Sequence, residues 1–287
     1  MTKKILLSVG IIVFAAAATI ASTGAFFNDT ETSTGNTFTA GAIDLTVDST
    51  QHYNRMLCKE VTAGIFQWQP EVGFIPGPNQ YPATGTTCDG TWSAVNLGAQ
   101  KFFNFADVKP GDQGENTVSL HIENNPAWAC AYLKTTANDE NTLIEPETSA
   151  GDVSAGPLGN GELAQNITFF TWKDDCNNQE TCTPGDNIWQ ANETVTQQPV
   201  ALSAIAGATT TLTLADGGSG PALAGGSTSY IGLGWCAGTL VVSGPGSWSC
   251  NGASMDNQSQ TDSVTASVSF YVEQERNNPN FRCVIPS

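Results

Sequence analysis

The sequence predicts an all-β protein, an antiparallel jelly-roll-like β-sandwich with long loop insertions. Three observations predict this fold class. The 287 residues include 29 Gly and 14 Pro but only 13% charged residues, which is typical of a loop-rich β protein. Long runs of strong helix formers are absent. Several segments alternate apolar and polar residues with the period of two that a half-buried strand requires.

Residues 1–25 have the form of a secretory signal. Lys3 and Lys4 precede an uncharged apolar run over residues 5–20, and small residues end at Ala25. We therefore expect cleavage between Ala25 and Phe26. The alternative is an uncleaved membrane anchor, because the uncharged stretch is long enough to span a bilayer.

The segment that follows, residues 26–40, is predicted to be an extended N-terminal arm. Thr30, Thr32 and Thr34 recur at every second position, and few large apolar residues follow the two phenylalanines at its start. Such a strand needs a host sheet to pair with. The alternation leaves open whether the even-numbered or the odd-numbered residues of the arm face inward.

Residues 41–287 are expected to form the sandwich from roughly eight to ten strands. Alternation assigns a buried face to each of the clearest strands, and two glycines interrupt one of them. The residues predicted to face inward are Ile43, Leu45 and Val47; Val118, Leu120 and Ile122; Ile231, Leu233 and Trp235, with Gly232 and Gly234 between them; and Val264, Ala266, Val268, Phe270 and Val272 in the last strand.

Three stretches rich in Gly, Pro and polar residues are expected to be loop insertions, at about residues 51–93, 137–162 and 173–228. The first contains four scattered aromatic residues, for which we favour packing over the edge of the sandwich. Stacking on sugars is the alternative. The four aromatic residues are Trp68, Phe74, Tyr81 and Trp92.

All eight cysteines follow the predicted cleavage site, and an even count in an exported chain predicts disulfides. Cys176 and Cys182 enclose a short segment, and Cys236 and Cys250 bracket a Gly/Ser-rich turn, so we expect these two pairs first. The pairing of the other four, Cys58, Cys88, Cys130 and Cys283, is left open.

The charge of the chain excludes nucleic acid as a partner. The formal net charge is -17, and removal of Lys3 and Lys4 with the signal leaves 8 basic against 27 acidic residues, or -19. Such a surface repels a phosphate backbone.

No catalytic or metal-binding constellation is evident, so we predict a protein that is not an enzyme and has no cofactor. HExxH and CxxC are absent. His121 is predicted to point outward from a strand, and His52 to lie in a loop. The pairs Asp139–Glu140 and Asp174–Asp175 are expected in solvated loops. A structural calcium ion is the one cofactor left open, because acidic loops offer oxygen ligands.

Three motifs resemble the TasA/camelysin family of exported proteins, which are processed by a dedicated signal peptidase of the SipW type. GAFFNDTETSTGNTFTAGAIDLTVD, after a signal of this form, resembles the family's start. FADVKPGDQGENTVSLHIENN resembles its PGD motif with the strand that follows, and DSVTASVSFYVEQERNNPNFRC resembles the ending of its larger, cysteine-containing members. The resemblance covers the first 48 residues, about 100–133 and about 228–283.

The resemblance implies a jelly-roll subunit that polymerises with itself, head to tail, into fibres of a biofilm matrix or cell surface. The joint would be an N-terminal donor strand freed by signal cleavage. A donated strand supplies a ladder of main-chain hydrogen bonds, and head-to-tail donation has no natural end. The implied anchors are Phe26 and Phe27, and the implied residues in the acceptor groove are Thr30, Thr32, Thr34 and Phe38.

Three alternatives stand beside the fibre. The arm could fold back as the first strand of its own sheet and give a monomer. The camelysin name implies a cell-surface metallopeptidase, although a zinc peptidase needs about three protein ligands and a general base. A monomeric surface adhesin would use the aromatic residues of the first insertion. The chain differs from the shorter family members in its eight cysteines and its insertions. The axial offset between neighbouring subunits of a fibre is therefore left open.

Overall fold

The computed structural model describes residues 28–32, 43–153, 161–176, 182–276 and 278–285. Most of these residues lie in or between antiparallel strands. The described strands are β1 (Asn28–Thr32), β2 (Leu45–Tyr53), β3 (Met56–Thr62), β4 (Ile65–Pro70), β5 (Trp92–Val95), β6 (Gln113–Ile122), β7 (Ala127–Asp139), β8 (Ile167–Lys173), β9 (Val195–Ala201), β10 (Thr210–Ala215), β11 (Ser227–Ala237), β12 (Thr239–Gly244), β13 (Ser247–Asn251) and β14 (Ser263–Gln274).

Helical structure in the described part of the chain is limited to short turns. These are α1 (Glu145–Ser149), α2 (Leu163–Asn166) and 3-10 turns at Leu202–Ile205, Gly252–Ser254 and Asn257–Ser259. Among these residues, no helix has both the length and the apolar character needed to cross a bilayer.

The strands form two large sheets and one hairpin. The smaller sheet has the order β1-β14-β7-β10, and the larger has the order β4-β3-β2-β6-β11-β8-β9 with β5 paired to β2. The β12–β13 hairpin is separate. All named strand pairs are antiparallel. The two sheets enclose one apolar core, so the predicted antiparallel sandwich is confirmed.

In the central strands, residues that were predicted to face inward are buried. Leu45 and Val47 in β2 and Leu120 in β6 are fully buried, as are Phe270 and Val272 towards the end of β14. The prediction for Ala266 is wrong, because this residue is exposed. A register irregularity between β14 and β7 lies between Thr265 and Ala266, and such an irregularity interrupts the alternation of the two faces.

The stretch 51–93 is a loop only over residues 71–91, so the prediction of one continuous loop insertion is wrong. It contains the end of β2, the β3–β4 hairpin and β5. In β3 only Met56 and Cys58 are buried and the last four residues are exposed, so the alternation by which strands are recognised is too short to be seen. The disulfide Cys58–Cys88 ties the hairpin down.

The other two predicted insertions also contain regular structure. β7 continues to Asp139 and α1 follows it, within residues 137–162. Residues 173–228 include β9 and β10, so the number of strands exceeds the prediction. β9 has no buried residue, since it lies at the edge of the larger sheet, and its sequence therefore lacks an apolar phase.

A second apolar cluster covers the outer face of the larger sheet. Phe170 and Trp172 of β8 stack with ring centroids 5.0 Å apart, and they lie across from Gly234 and Gly232 of β11. A Cβ on Gly232 would lie 2.0 Å from the Trp172 indole. The glycines therefore provide the space in which the rings lie flat on the sheet. The β12–β13 hairpin closes the cluster with Leu240.

Four disulfides link the described cysteines, and no described cysteine is free. The two pairs expected first, Cys176–Cys182 and Cys236–Cys250, are both present. The remaining cysteines pair as Cys58–Cys88 and Cys130–Cys283. Four disulfides are typical of a protein from an oxidising, extracellular environment.

Replacing Gly232 by alanine should destabilise the fold, because the new methyl group would displace Trp172 from the sheet. We expect Gly232→Ala to lower the free energy of unfolding by about 1–3 kcal/mol in a denaturant titration. Gly77→Ala is the matched control, since no atom lies within 4 Å of a Cβ there. Equal effects of the two substitutions would contradict this account of the second cluster.

Candidate functional site

The candidate functional site is the outer side of β14 in the smaller sheet. On one side β14 pairs with β7 along its whole length of 12 residues, from Ser263 opposite Asp139 to Gln274 opposite Ala127. On the other side β1 pairs with residues 269–273 only. The described strands leave residues 263–267 without a strand partner on that side. An exposed strand edge of this kind is a template for another strand.

β1 is the described part of the N-terminal arm, and it pairs with β14 of its own chain. Thr30 lies opposite Tyr271 and Thr32 opposite Ser269. This is the fold-back arrangement named above as an alternative. The other residues predicted for the arm and its processing lie outside the described residues: Ala25, Phe26, Phe27, Thr34 and Phe38.

The same register places the acidic residues of β1 opposite the core residues of β14. Asp29 pairs with Val272, and Glu31 with Phe270, and both partners are buried. Directly opposite residues of an antiparallel pair share one face of the sheet. In this register, therefore, the positions of Asp29 and Glu31 in β1 lie opposite core residues of β14.

The chain enters the larger sheet beside the Gln274 end of β14. The N–H of Glu123 donates to the carbonyl of Asp44, and the N–H of Glu275 donates to the carbonyl of Pro126, both at 3.0 Å. One short turn between β6 and β7 connects these two contacts. The arm, which precedes Asp44, is thus tethered at one end of β14, whereas Ser263 lies at the other end.

The C-terminal segment fixes the outer face of the smaller sheet. Cys283 is bonded to Cys130 of β7, and the Tyr132 hydroxyl donates to the carbonyl of Val284 at 2.8 Å. Phe281 stacks on Tyr271 with ring centroids 5.9 Å apart. These contacts hold β7 and β14 in place from outside, so the edge is presented by a rigid pair of strands.

The inner face of β14 borders a small apolar cleft between the two sheets. Val268 and Phe270 line it from β14, together with Leu133 beside them in β7 and Leu233 from β11 in the larger sheet. The cleft has a volume of about 20 Å³, which is room for one small group. A side chain that joins β14 from the open side would find apolar neighbours here.

The two histidines lie apart, each with its own partners. His52 lies in β2, so its predicted loop position is wrong, and its Nδ1 lies 2.7 Å from Glu71. His121 points outward from β6 as predicted, with Nε2 2.6 Å from Asp48 and Nδ1 3.0 Å from Thr228. Among the described residues, neither histidine belongs to a group of three metal-ligating side chains.

The four aromatic residues of residues 51–93 pack over the end of the sandwich, as predicted. Trp68 is buried, and Tyr81 and Trp92 are partly buried against the core. Tyr53 lies at the centre, with its ring 6.0 Å from Trp68 and 5.7 Å from Tyr81. Phe74 packs against the same core. Their contacts are with the protein itself, which gives the adhesin alternative no support.

Two acidic pairs expected in solvated loops are partly buried, so this prediction is wrong. Asp174 is fully buried, and Glu140 is 6% exposed. Loops that fold back over the strand ends bury these side chains, and no local sequence signal reports such long-range covering. Burial raises the pKa of Asp174 to about 7. Its Oδ2 accepts a hydrogen bond from the Asn187 N–H at 2.8 Å.

Glu193 lies beside Asp174 and organises the small disulfide loop. Its carboxylate accepts hydrogen bonds from the N–H groups of Cys176, at 3.0 Å, and Gln190, at 2.8 Å. Burial raises the pKa of Glu193 as well. Two neighbouring buried carboxyl groups are most stable when they hold one proton between them.

No protein-family model, curated protein or solved structure matches the chain. The resemblance to the TasA/camelysin family therefore depends on its three sequence motifs, and the function has to be inferred from the residues and their geometry.

Asp174 should make the fold less stable as the pH rises. The pKa of Asp174 is about 7 in the folded state and about 3.9 in the unfolded state. At a pH between these two values the folded state therefore holds one proton more than the unfolded state. Stability from this group is complete below about pH 4 and is lost as the pH rises towards about 7. We expect Asp174→Asn, which mimics the protonated form, to remove about 1–3 kcal/mol of this pH dependence.

The measurement is denaturant unfolding from pH 4.5 to 8 in EDTA, comparing wild type with Asp174→Asn. Asp44→Asn is the control, because Asp44 is exposed. Glu115 and Glu140, whose pKa values burial also raises to about 7, leave a residual slope in both proteins. A pH profile of Asp174→Asn that parallels wild type would contradict the assignment.

Proposed function

We propose that the mature chain is the structural subunit of an extracellular filament. In this filament the N-terminal arm of one molecule pairs with the open edge of β14 in the next. The observation that carries the proposal is the incomplete pairing of β14, whose residues 263–267 have no described strand on the side away from β7. A second copy of the chain supplies a strand of the required length.

The reach of the arm favours a neighbouring molecule as the donor. If the register of β1 continued, residue 38 would lie opposite Ser263, about 36 Å from the Gln274 end of β14. Only residues 39–42 would remain to return to Ile43, and they extend over about 18 Å at most. An arm therefore cannot cover the whole edge of its own β14. An arm from another molecule has no such tether.

The lengths of the two partners agree. Residues 26–38 make thirteen positions, and β14 has 12 residues. A strand of this length completes the ladder from one end of β14 to the other, and each added pair contributes main-chain hydrogen bonds. The five residues of β1 pair with less than half of that edge.

We further propose that the donated arm is displaced by one residue from the within-chain register. A shift of one residue exchanges the two faces of a strand. Thr30, Thr32 and Thr34 would then lie opposite Val272, Phe270 and Val268, with Phe38 opposite Val264. Placing threonines on the core face costs far less than placing Asp29 and Glu31 there, because a buried unpaired carboxylate is strongly unfavourable.

Head-to-tail donation produces a filament rather than a closed dimer. The arm and the β14 edge are different surfaces of one molecule, so each added subunit presents a new acceptor. The four disulfides, together with the predicted signal, favour assembly outside the cell after a SipW-type peptidase cuts between Ala25 and Phe26. The net charge of -17 is compatible with a soluble precursor that does not bind nucleic acid.

The mature chain beginning at Phe26 should form filaments, and the same chain lacking residues 26–38 should remain monomeric. The arm is required because it forms the joint, whereas the sandwich retains its core without it. Negative-stain microscopy and sedimentation check assembly, and circular dichroism checks the fold of the deleted chain. Filaments from the deleted chain, or monomers from the complete one at every concentration, would exclude donation by the arm.

The register can be tested with two neighbouring substitutions. Thr32→Asp would place a carboxylate on the core face of the donated strand, so we expect the critical concentration for assembly to rise at least about tenfold. Ser33→Asp, the matched control, would place the same group on the outer face, so we expect the critical concentration to change little. The reverse order of effects would show that donation uses the within-chain register.

A further inference from the structure

Five acidic side chains gather at one end of the smaller sheet, away from the chain entry. Ser263 of β14 pairs with Asp139 of β7, so Asp262 and Glu140 are neighbours just beyond the ladder. Loop and helical segments bring three more carboxyl groups to the same place: Glu147 of α1, Asp152 after α1, and Glu162 before α2. This group is called the Glu140 cluster below.

Glu140 is the centre of the cluster. Oxygens of Glu140, Glu147 and Asp262 all lie within 4.8 Å of one another, and so do those of Glu140, Asp152 and Glu162. Calcium binds carboxylate oxygens at about 2.3–2.6 Å, so ligands on opposite sides of one ion are about 4.8 Å apart. Oxygens within this limit of one another can share a single cation, or two cations that both contact Glu140.

The hydrogen bonds of the cluster hold its carboxyl groups in position. Asp262 Oδ2 accepts from the backbone N–H groups of Glu162, at 2.6 Å, and Leu163, at 3.0 Å. Glu147 accepts from the Ile144 N–H at 2.6 Å and from the Thr261 hydroxyl at 3.0 Å. These bonds fix two strand ends and two helical segments around Glu140.

Glu140 itself is buried, and its one side-chain hydrogen-bonding partner among the described residues is another carboxyl group, that of Asp262. It is 6% exposed, and no described N–H or hydroxyl group donates a hydrogen bond to either of its carboxylate oxygens. One carboxylate oxygen of Glu162 and one of Asp262 are also buried and accept no hydrogen bond from the described residues. No Lys, Arg or His of the described chain lies within 4.0 Å of the carboxyl oxygens of Glu140. Its closest polar neighbours are other carboxyl groups.

Such an arrangement is costly without a positive charge. An ionised carboxylate that is buried without a partner is unfavourable by several kcal/mol, and neighbouring carboxylates add repulsion. Burial, and after it the charge of Asp262, raise the pKa of Glu140 to about 7. Above that pH the cluster requires a counterion.

We propose that the Glu140 cluster binds calcium. A hard cation takes carboxylate oxygens as its ligands, and calcium tolerates the irregular geometry that side chains from four segments provide. Zinc would prefer nitrogen and sulfur ligands, which this cluster lacks. Magnesium demands a near-octahedral shell and keeps most of its waters. The bound ion fastens α1, Asp152 and Glu162 onto the ends of β7 and β14.

The experiment uses the mature, disulfide-bonded chain after treatment with EGTA, dilute enough to remain unassembled, at pH 7.5. Isothermal titration with CaCl₂ measures binding, and thermal unfolding measures its effect. We expect heat of binding and a rise in Tm of about 5 °C in about 5 mM CaCl₂, above the dissociation constants of about 0.1–1 mM typical of extracellular calcium modules.

Glu140→Gln should abolish both signals and raise the Tm measured in EGTA, because it removes the buried charge. Glu123→Gln, an exposed carboxylate outside the cluster, should behave as wild type. Circular dichroism verifies folding, and Glu162→Gln serves as a second variant with the same expectation of weakened binding. No binding by wild type, undiminished binding by Glu140→Gln, or an equal effect of MgCl₂ would overturn the proposal.

None of these outcomes depends on filament formation. The titration reports on single molecules, so calcium binding and arm donation succeed or fail independently.

Discussion

The pairing of β7 with β14 is the interaction on which the rest of the structure depends. It runs for the full 12 residues of β14 and joins two segments far apart in the chain. Its inner face carries Phe270 and Val272 into the core, and its outer face is covered by the C-terminal segment through Cys130–Cys283. The Glu140 cluster lies at one of its ends. The apolar core, the Cys130–Cys283 disulfide and the Glu140 cluster therefore all involve the β7–β14 pair.

Among the described residues this ladder has one incomplete side, and an incomplete side of a sheet is a liability. Exposed strand edges pair with other chains unless they are covered. β1 covers residues 269–273, while the chain entry beside Gln274 prevents the arm from covering the whole edge within one molecule. The proposed filament converts this liability into the joint between subunits. The rigid backing of β14 matters for the same reason, since a preformed edge lowers the ordering cost of binding a strand.

Strong local alternation made much of the fold predictable. The inward phases of β2 and β6 follow from period-two patterns, and two disulfides follow from short spacing. The β3–β4 hairpin could not be recognised, because only Met56, Cys58 and Trp68 are buried in it and the rest of both strands is exposed or partly exposed, which leaves too short an alternating pattern. Buried carboxyl groups such as Asp174 were missed for a related reason. Their burial is produced by loops that fold back over strand ends, and the residues beside them in sequence look like ordinary solvated loops.

The most direct test of the account is amide hydrogen exchange along β14, compared between the dispersed mature chain and its assemblies. The amides of residues 263–267 that face the open side should exchange rapidly in the dispersed chain and become protected on assembly. Amides of β7, paired in both states, should remain protected throughout and serve as the internal reference. Protection of the 263–267 edge already in the dispersed chain, or its rapid exchange within assemblies, would contradict the completion of β14 by a neighbour's arm.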